Sequence, residues 1–195
     1  MKQHNFPIGK IKNCQICNSE DLIEVINLGD QPLANSLVQN IEDDNKIEKY
    51  PVNIIRCNQC TLLQIDYIVD QTKVYHLDYP YLPGITKTVD NEQLDLSDYL
   101  FKELDLGKDH LVVDIGSNDG SLLKHFKAKG LKTVGVEPTN ISKIANQNGI
   151  NTIQSFFNEE ISESIIKDFN KAKLITCTNV FAHMSTLGDV MEGIV

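Results

Sequence analysis

The run from Leu111 to Leu123 constrains the fold of this chain more than any other segment. It begins with the apolar residues of a buried strand, passes through two glycines, Gly116 and Gly120, and continues into the start of a helix. A strand, a glycine turn and a helix N-terminus form a backbone that can hold a nucleotide-like ligand. The second apolar strand, Val134-Gly-Val-Glu137, ends on an acid that can accept both hydroxyls of a ribose. Together these features predict a Rossmann-like domain that binds an adenosine cofactor.

The residues between the two glycines discriminate among such cofactors. A dinucleotide fold needs bare glycine backbone against the pyrophosphate, as in G-x-G-x-x-G. Here Asn118 and Asp119 stand in the turn, and an acidic side chain would repel a pyrophosphate. A cofactor without phosphate, such as S-adenosylmethionine (SAM), is compatible because its ammonium group suits nearby oxygens. The alternative is an ordinary strand-to-helix turn that holds no ligand.

Four of the five cysteines form two C-x2-C pairs, Cys14 with Cys17 and Cys57 with Cys60. Each pair lies in a polar, turn-like segment, which is the pattern of the knuckles in a four-cysteine zinc site. Because four thiolates fill a tetrahedral coordination sphere, the predicted zinc is structural and stabilises a small N-terminal lobe. A redox role is open for one pair but is not favoured for two. The fifth cysteine, Cys177, is expected to be a small buried core residue.

Charge and hydropathy disfavour several classes of protein. The net charge of -9 argues against a nucleic-acid partner, which would need a basic surface. The sequence has no stretch approaching the ~20 apolar residues of a membrane span, and its N-terminus lacks the apolar core of a signal peptide. We therefore expect a cytoplasmic protein that contacts no membrane and whose cysteines are reduced or bind metal.

The order of sequence patterns divides the chain into three parts. Residues 1–75 form the predicted zinc lobe, with a strand over Leu22–Leu28 and a turn over Gly29–Pro32. Residues 76–104 are an irregular connector followed by a helix. In residues 105–195 short apolar strands alternate with helices, which predicts a parallel sheet with crossover helices. The predicted fold class is therefore α/β, with an incomplete Rossmann-like sheet of about four βα units after a small four-cysteine zinc-binding lobe.

The predicted sheet has a consequence for assembly. We expect strands at 111–115, 133–137, 152–155 and 173–178, and helices at 121–129, 141–148, 159–170 and from Leu187 onward. A complete Rossmann sheet has further strands beyond the fourth, so the fourth strand is expected to leave an exposed edge. We therefore expect the chain to be a fragment, a truncated gene product or half of a split protein. Such an edge predicts a homo-oligomer or association with a missing C-terminal half.

Several short motifs are distinctive in combination. They are the two C-x2-C pairs, Leu28-Gly-Asp-Gln-Pro-Leu-Ala-Asn35, Tyr79-Pro-Tyr81, Ile115-Gly-Ser-Asn-Asp-Gly120, Gly135-Val-Glu-Pro138 and Asn179-Val-Phe-Ala-His183. Together they resemble the SAM-dependent methyltransferases that act on carbon atoms of nucleotide-linked 4-keto-deoxysugars. Members of that family carry a zinc lobe, a SAM-binding Rossmann domain and a C-terminal domain that helps to hold the nucleotide sugar. The resemblance covers nearly all of this chain and implies that the last domain is absent from it.

The resemblance implies roles for individual residues in holding the cofactor. The residues that would bind SAM are Asp114, Gly116, Asn118, Gly120, Glu137, Ser155, Phe156 and Asn179. Within this set Glu137 would bind the ribose hydroxyls, and Ser155 with Phe156 would flank the adenine. Phe156 can equally be a residue of the core. Asn179 would face the sulfonium, since ligands of open α/β sheets bind beyond the carboxyl ends of the strands.

The resemblance also implies two catalytic residues, His183 and Tyr79. His183 would position the substrate or assist proton transfer, and the alternative is a structural or solvated histidine. Tyr79 and Tyr81 would contact the sugar, and the alternative is packing between domains. In the implied reaction a general base removes the proton on C3 beside the keto group, and the enolate attacks the SAM methyl group. The family's general base is a histidine beyond Val195, so the chain alone is expected to be inactive or impaired.

Two other functions remain open at this point. The chain could be a non-catalytic module that binds SAM or a partner chain, or a methyltransferase for another small-molecule acceptor. The segments Gln31–Asn35 and Tyr79–Tyr81 favour the nucleotide-sugar substrate over another acceptor.

Overall fold

The computed structural model describes residues 7–34, 36, 46–77, 82, 84 and 86–195. The chain forms two compact units. The first consists of Met1–Val74 and Ser185–Asp189, and the second of Tyr75–Met184 and Val190–Val195. The segment Ser185–Asp189 thus clusters with the first unit, although it follows the sheet of the second unit in the chain.

The first unit is built from short antiparallel sheets. Its elements are β1 (Gly9–Lys10), β2 (Leu22–Pro32), β3 (Lys49–Cys57), β4 (Leu63–Ile65), β5 (Tyr67–Ile68) and α1 (Gln71–Val74). Strands β2, β3 and β4 form one sheet in that order, and β1 pairs with β5. The small core contains Ile11, Ile55 and Ile68, with Leu22 packed against them. So small a core needs a further source of stability, such as a metal.

Strand β2 is longer than the sequence predicts. It continues past Leu28 through the segment Gly29–Pro32, which was predicted to be a turn. The pairing with β3 shifts register between Asn27 and Asp30, and Gly29 there has a φ of 70°. A glycine at positive φ accommodates such an irregularity without a steric penalty. The predicted turn is therefore wrong, and its glycine forms an irregularity within the strand.

The second unit is a parallel sheet connected by helices. Its elements are α2 (Lys87–Glu103), β6 (Leu111–Ile115), α3 (Ser121–Ala128), β7 (Lys132–Val136), α4 (Ile141–Gln147), β8 (Thr152–Ile153), α5 (Glu159–Phe169), β9 (Leu174–Thr176) and α6 (Gly188–Ile194). The strand order is β8-β7-β6-β9, with every neighbouring pair parallel, which confirms the predicted sheet. Parallel neighbours need crossover connections, which the intervening helices supply. Among the described helices, none is both long and apolar enough to span a membrane.

Both faces of this sheet are buried, which explains the uninterrupted apolar run of β6. Val112 belongs to one core cluster, with Phe126 of α3. Leu111, Val113 and Ile115 belong to another, with Ile165 of α5. Successive side chains of a strand point to opposite faces, so a strand covered on both sides must be apolar throughout. Asp114 is the exception in this strand, and it lies at the end where ligands bind in such sheets.

Candidate functional site

The four predicted zinc ligands converge in the first unit. Cys14 Sγ lies 3.6 Å from Cys60 Sγ, Cys17 Sγ lies 3.5 Å from Cys57 Sγ, and all four sulfurs lie within 4.8 Å of one another. A tetrahedral zinc with Zn–S bonds of about 2.3 Å places its sulfurs about 3.8 Å apart. The cluster therefore fits a structural zinc ion bound by four thiolates.

The two knuckles share one backbone arrangement. In the first, the N–H of Asn18 donates to the C=O of Cys14 at 3.0 Å, and Asn18 has a φ of 59°. In the second, the N–H of Thr61 donates to the C=O of Cys57 at 2.9 Å, and Thr61 has a φ of 64°. In both knuckles the left-handed residue therefore follows the first cysteine by four positions. Matching turns of this kind present two pairs of thiols to one ion, as the C-x2-C spacing predicts.

The glycine turn after β6 is tied to the neighbouring strand and to the loop after β9. The N–H groups of Gly116 and Ser117 donate to the C=O of Val136 at 2.8 and 3.1 Å. Gly116 has a φ of 69°, and a Cβ atom there would lie 2.6 Å from Val180. The position therefore requires glycine both for its conformation and for space. This contact shows that the carboxyl ends of β6 and β9 meet at one edge of the sheet.

Glu137 follows β7, and its carboxylate holds the glycine turn in place. Its Oε2 accepts the N–H of Asn118 at 3.0 Å, and its Oε1 accepts the N–H of Thr139 at 2.9 Å. The residue is 5% exposed. Each carboxylate oxygen can accept more than one hydrogen bond, so ribose hydroxyls can still be bound. The sequence predicted the ribose partner, and the structure adds that the same acid organises the turn.

Asp114 lies buried in β6, beneath the glycine turn. It is 3% exposed, and the Thr176 hydroxyl donates to its Oδ1 at 2.7 Å. Burial, opposed by the Thr176 hydrogen bond and reinforced by the charge of Glu137, raises the pKa of Asp114 to about 7. The carboxyl is therefore divided between its protonated and ionised forms near neutral pH. Its predicted role is contact with SAM, and its burial favours an effect exerted through charge.

Ser155 and Phe156 lie in the loop that follows β8. The Ser155 hydroxyl donates to the C=O of Phe156 at 3.0 Å, and both residues are half-buried. The neighbouring Phe157 is 8% exposed and belongs to the core cluster of the sheet. The core position is thus filled by Phe157, and Phe156 is not among the residues of that cluster. This arrangement is compatible with the predicted contact to adenine.

The remaining predicted residues follow β9 or lie in the connector. Asn179 is exposed and has a φ of 55°, and His183 is exposed at the end of the 3-10 turn Phe181–His183. Tyr79, predicted to be catalytic, and Tyr81 lie outside the described residues. Within the connector, the N–H of Gly84 donates to Asp119 Oδ2 at 3.2 Å, which the sequence did not predict. The connector therefore reaches the glycine turn.

Two serines of the glycine turn are further candidates that the sequence reasoning missed. Ser117 and Ser121 are each 4% exposed, and their hydroxyls make no hydrogen bond within the described part of the chain. Buried polar atoms without a partner are uncommon and indicate a position where a polar group binds. Ser121 is the first residue of α3, where N–H groups favour a carboxylate. Both hydroxyls are therefore candidates for a contact with a bound polar group, although that of Ser117 lies against Gly135 of β7.

Comparison with known proteins agrees with a zinc-binding N-terminal lobe and a methyltransferase domain after it. Residues 14–75 match a family described as a zinc binding domain, and residues 87–194 match the family described as a methyltransferase domain. The C-methyltransferase NovU of Streptomyces niveus is 28% identical over 185 residues, which cover 94% of this chain and 44% of that protein. The chain therefore spans less than half the length of this curated relative.

Proposed function

Because the chain belongs to the methyltransferase domain family, we propose that it is part of a SAM-dependent C-methyltransferase. The observation that supports this proposal most is the similarity to a C-methyltransferase over 94% of the chain, through the zinc lobe as well as the Rossmann domain. A module that only bound SAM would need resemblance in the second part alone. The complete protein's activity is proposed to need residues that this chain does not contain, including the general base.

The proposed substrate is a nucleotide-linked 4-keto-deoxysugar, methylated at C3. A keto group acidifies the protons on the adjacent carbon, so C3 can be deprotonated by a base and then methylated. The motifs Gln31–Asn35 and Tyr79–Tyr81 support this substrate over another small molecule. His183 is proposed to position this substrate, since it is exposed in the loop that follows β9.

The residues of the glycine turn are proposed to hold the cofactor. SAM, when bound, supplies a methyl group on a cationic sulfonium. Gly116 gives the turn the conformation that it needs beside Val180, and the hydroxyls of Ser117 and Ser121 are proposed to form hydrogen bonds with polar groups of the cofactor. Glu137 is proposed to accept hydrogen bonds from the ribose hydroxyls while it still accepts the hydrogen bond from the N–H of Asn118. These contacts orient the cofactor at the carboxyl edge of the sheet.

The first test is calorimetric titration of the zinc-loaded chain with S-adenosylhomocysteine, with NAD as the control ligand. We expect saturable binding of S-adenosylhomocysteine alone. Glu137→Gln should weaken binding by about tenfold or more, since charge-assisted hydrogen bonds contribute about 1.5–3 kcal/mol. Glu160→Gln, at an exposed acid of α5, should leave the affinity unchanged. Binding of NAD, or equal affinities for all three proteins, would contradict the assignment of the cofactor.

The second test concerns the acceptor. The chain is incubated with SAM and a nucleotide-linked 4-keto-deoxysugar, and the sugar is examined by mass spectrometry for one added methyl group. The matched control substrate has a hydroxyl in place of the keto group. We expect slow methylation of the keto sugar, far below ~1 per second, and none of the control. Turnover at a normal rate would refute the proposal that the general base is missing, and methylation of the hydroxyl sugar would refute the role of the keto group.

A further inference from the structure

A buried glutamine joins the first zinc knuckle to a distant segment of the chain. Gln15 lies between two of the cysteine ligands and is 5% exposed. Its N–H donates to Gln64 Oε1 at 3.1 Å, and its own Oε1 accepts the N–H of Leu187 at 2.9 Å. Leu187 is 172 positions further along and lies in the segment Ser185–Asp189, which clusters with the zinc lobe. The knuckle therefore holds this segment by a partly buried hydrogen bond.

The hydrogen bond meets a need at the start of α6. Leu187 directly precedes this helix, and the N–H groups at a helix N-terminus have no partner within the helix. In many helices a Glu or Gln three residues further on accepts this N–H. The corresponding residue here is Val190, which has no acceptor in its side chain. Gln15 supplies the acceptor instead, so the start of α6 is defined from the zinc knuckle.

The held segment adjoins the loop that carries His183. His183 ends a 3-10 turn in which its N–H donates to the C=O of Val180 at 2.8 Å. A single residue, Met184, separates His183 from the segment Ser185–Asp189. Met184 packs against the core cluster of the sheet that also contains Val190. The chain is therefore fixed closely after His183, and the Gln15 hydrogen bond is part of what fixes it.

We propose that Gln15 is a positioning residue for the loop carrying His183, and that it holds this loop while the zinc site is filled. Its backbone lies within the knuckle, so ordering of the cysteines by the metal also orders its side chain. The hydrogen bond from Leu187 to the Gln15 side chain then restrains the segment that follows His183. The zinc site is then more than a source of stability, since it sets the geometry of a predicted catalytic residue. Only the significance of His183 rests on the proposed function.

The test compares three variants by amide hydrogen exchange with NMR detection. Gln15→Met keeps the length of the side chain but removes the acceptor, so the Leu187 amide should exchange about tenfold faster, which corresponds to about 1.4 kcal/mol. Gln15→Glu retains an oxygen acceptor and should keep the exchange slow. Gln59→Met makes the same change at an exposed position of the second knuckle and should match the unaltered chain. Equal exchange in all four proteins would overturn the proposal.

The NMR signals of the His183 ring show whether the effect reaches the loop. Relative to the unaltered chain, their chemical shifts should change in Gln15→Met but not in Gln15→Glu or Gln59→Met. Removal of zinc from the unaltered chain should change these chemical shifts as well. If Gln15→Met fails to retain zinc, Leu187→Pro removes the donor without altering the knuckle and should move the same signals. An unmoved His183 signal in Leu187→Pro would overturn the proposal. Failure of S-adenosylhomocysteine to bind the unaltered chain would instead count against the proposed function, without altering these signals.

Discussion

Replacing Asp114 with asparagine should change how the stability of the second unit depends on pH. The pKa of this carboxyl is raised from 3.8 to about 7 in the folded protein, chiefly by burial. In the unfolded chain it ionises near its ordinary value. When the pH lies between these two pKa values, the carboxyl is ionised in the unfolded chain and protonated in the folded chain. Rising pH therefore favours unfolding. The contribution of Asp114 to stability is therefore complete below pH 3.8 and is lost as the pH rises through about 7.

The size of the effect follows from the same values. The difference between 3.8 and about 7 corresponds to about 4 kcal/mol, taken as an upper value because water penetration relieves buried charge. Asparagine cannot ionise. Its Oδ1 can still accept a hydrogen bond from the Thr176 hydroxyl, which donates to the Asp114 carboxylate at 2.7 Å in the unaltered protein. Its buried NH₂ group costs about 1–3 kcal/mol when it has no partner. We therefore expect Asp114→Asn to be more stable than the unaltered protein by about 1–3 kcal/mol at pH 8, and less stable below pH 4.

The assay is urea unfolding of the zinc-loaded chain at pH values from 5 to 8. Unfolding is monitored by the amide hydrogen exchange of Leu111–Ile115. Exchange in this strand reports on the second unit and not on the zinc lobe. The unaltered protein should lose stability across this range, whereas Asp114→Asn should lose much less. Asp109→Asn removes an exposed acid and should follow the unaltered protein. Parallel pH profiles for the unaltered protein and Asp114→Asn would refute the assignment of the titration to this carboxyl.

Three further predictions concern the metal, a glycine and a helix cap. Removal of zinc by a chelator should unfold the first unit while the sheet β8-β7-β6-β9 stays protected from exchange, and lost protection in β6 would contradict this. Gly120→Ala should cost about 2–4 kcal/mol, because Gly120 has a φ of 76° and a Cβ would lie 2.8 Å from Ile150. Gly107→Ala, whose Cβ would meet nothing within 4 Å, should be nearly neutral in the same urea unfolding assay. Asn158→Ala should cost about 1 kcal/mol in thermal unfolding, because its side chain accepts the N–H of Ile161 at the start of α5.

The fold of the second unit could be predicted because its strands are buried on both faces. Leu111–Ile115 is apolar except for Asp114, and the glycines on either side of Asn118 mark where the strand gives way to α3. The first unit was harder, since its long strand β2 has little buried surface. Val25 and Leu28 are 53% and 49% exposed, so their apolar character does not mark an inner face. The irregularity at Gly29 has the same sequence signature as a turn.

The candidate site was predictable where chemistry is tied to spacing. The two C-x2-C pairs indicate four ligands for one ion, and the structure brings their sulfurs together. The double role of Glu137 could not be foreseen, because it depends on backbone N–H groups that become neighbours after folding. The hydrogen bond between Gln15 and Leu187 joins residues 172 positions apart and leaves no local pattern. The predicted roles of the residues that would contact SAM remain predictions until a ligand is bound.

The matching knuckles differ in the residue that each places in the left-handed region. Asn18 tolerates a φ of 59°, whereas Thr61, a β-branched residue, adopts 64° at a cost of about 1–2 kcal/mol. Its hydroxyl donates to the C=O of Cys60 at 2.6 Å, which offsets part of that cost. As a chelator is added, the amide of Thr61 should lose protection before the amide of Asn18. We therefore expect the thiols of Cys57 and Cys60 to release the metal before those of Cys14 and Cys17.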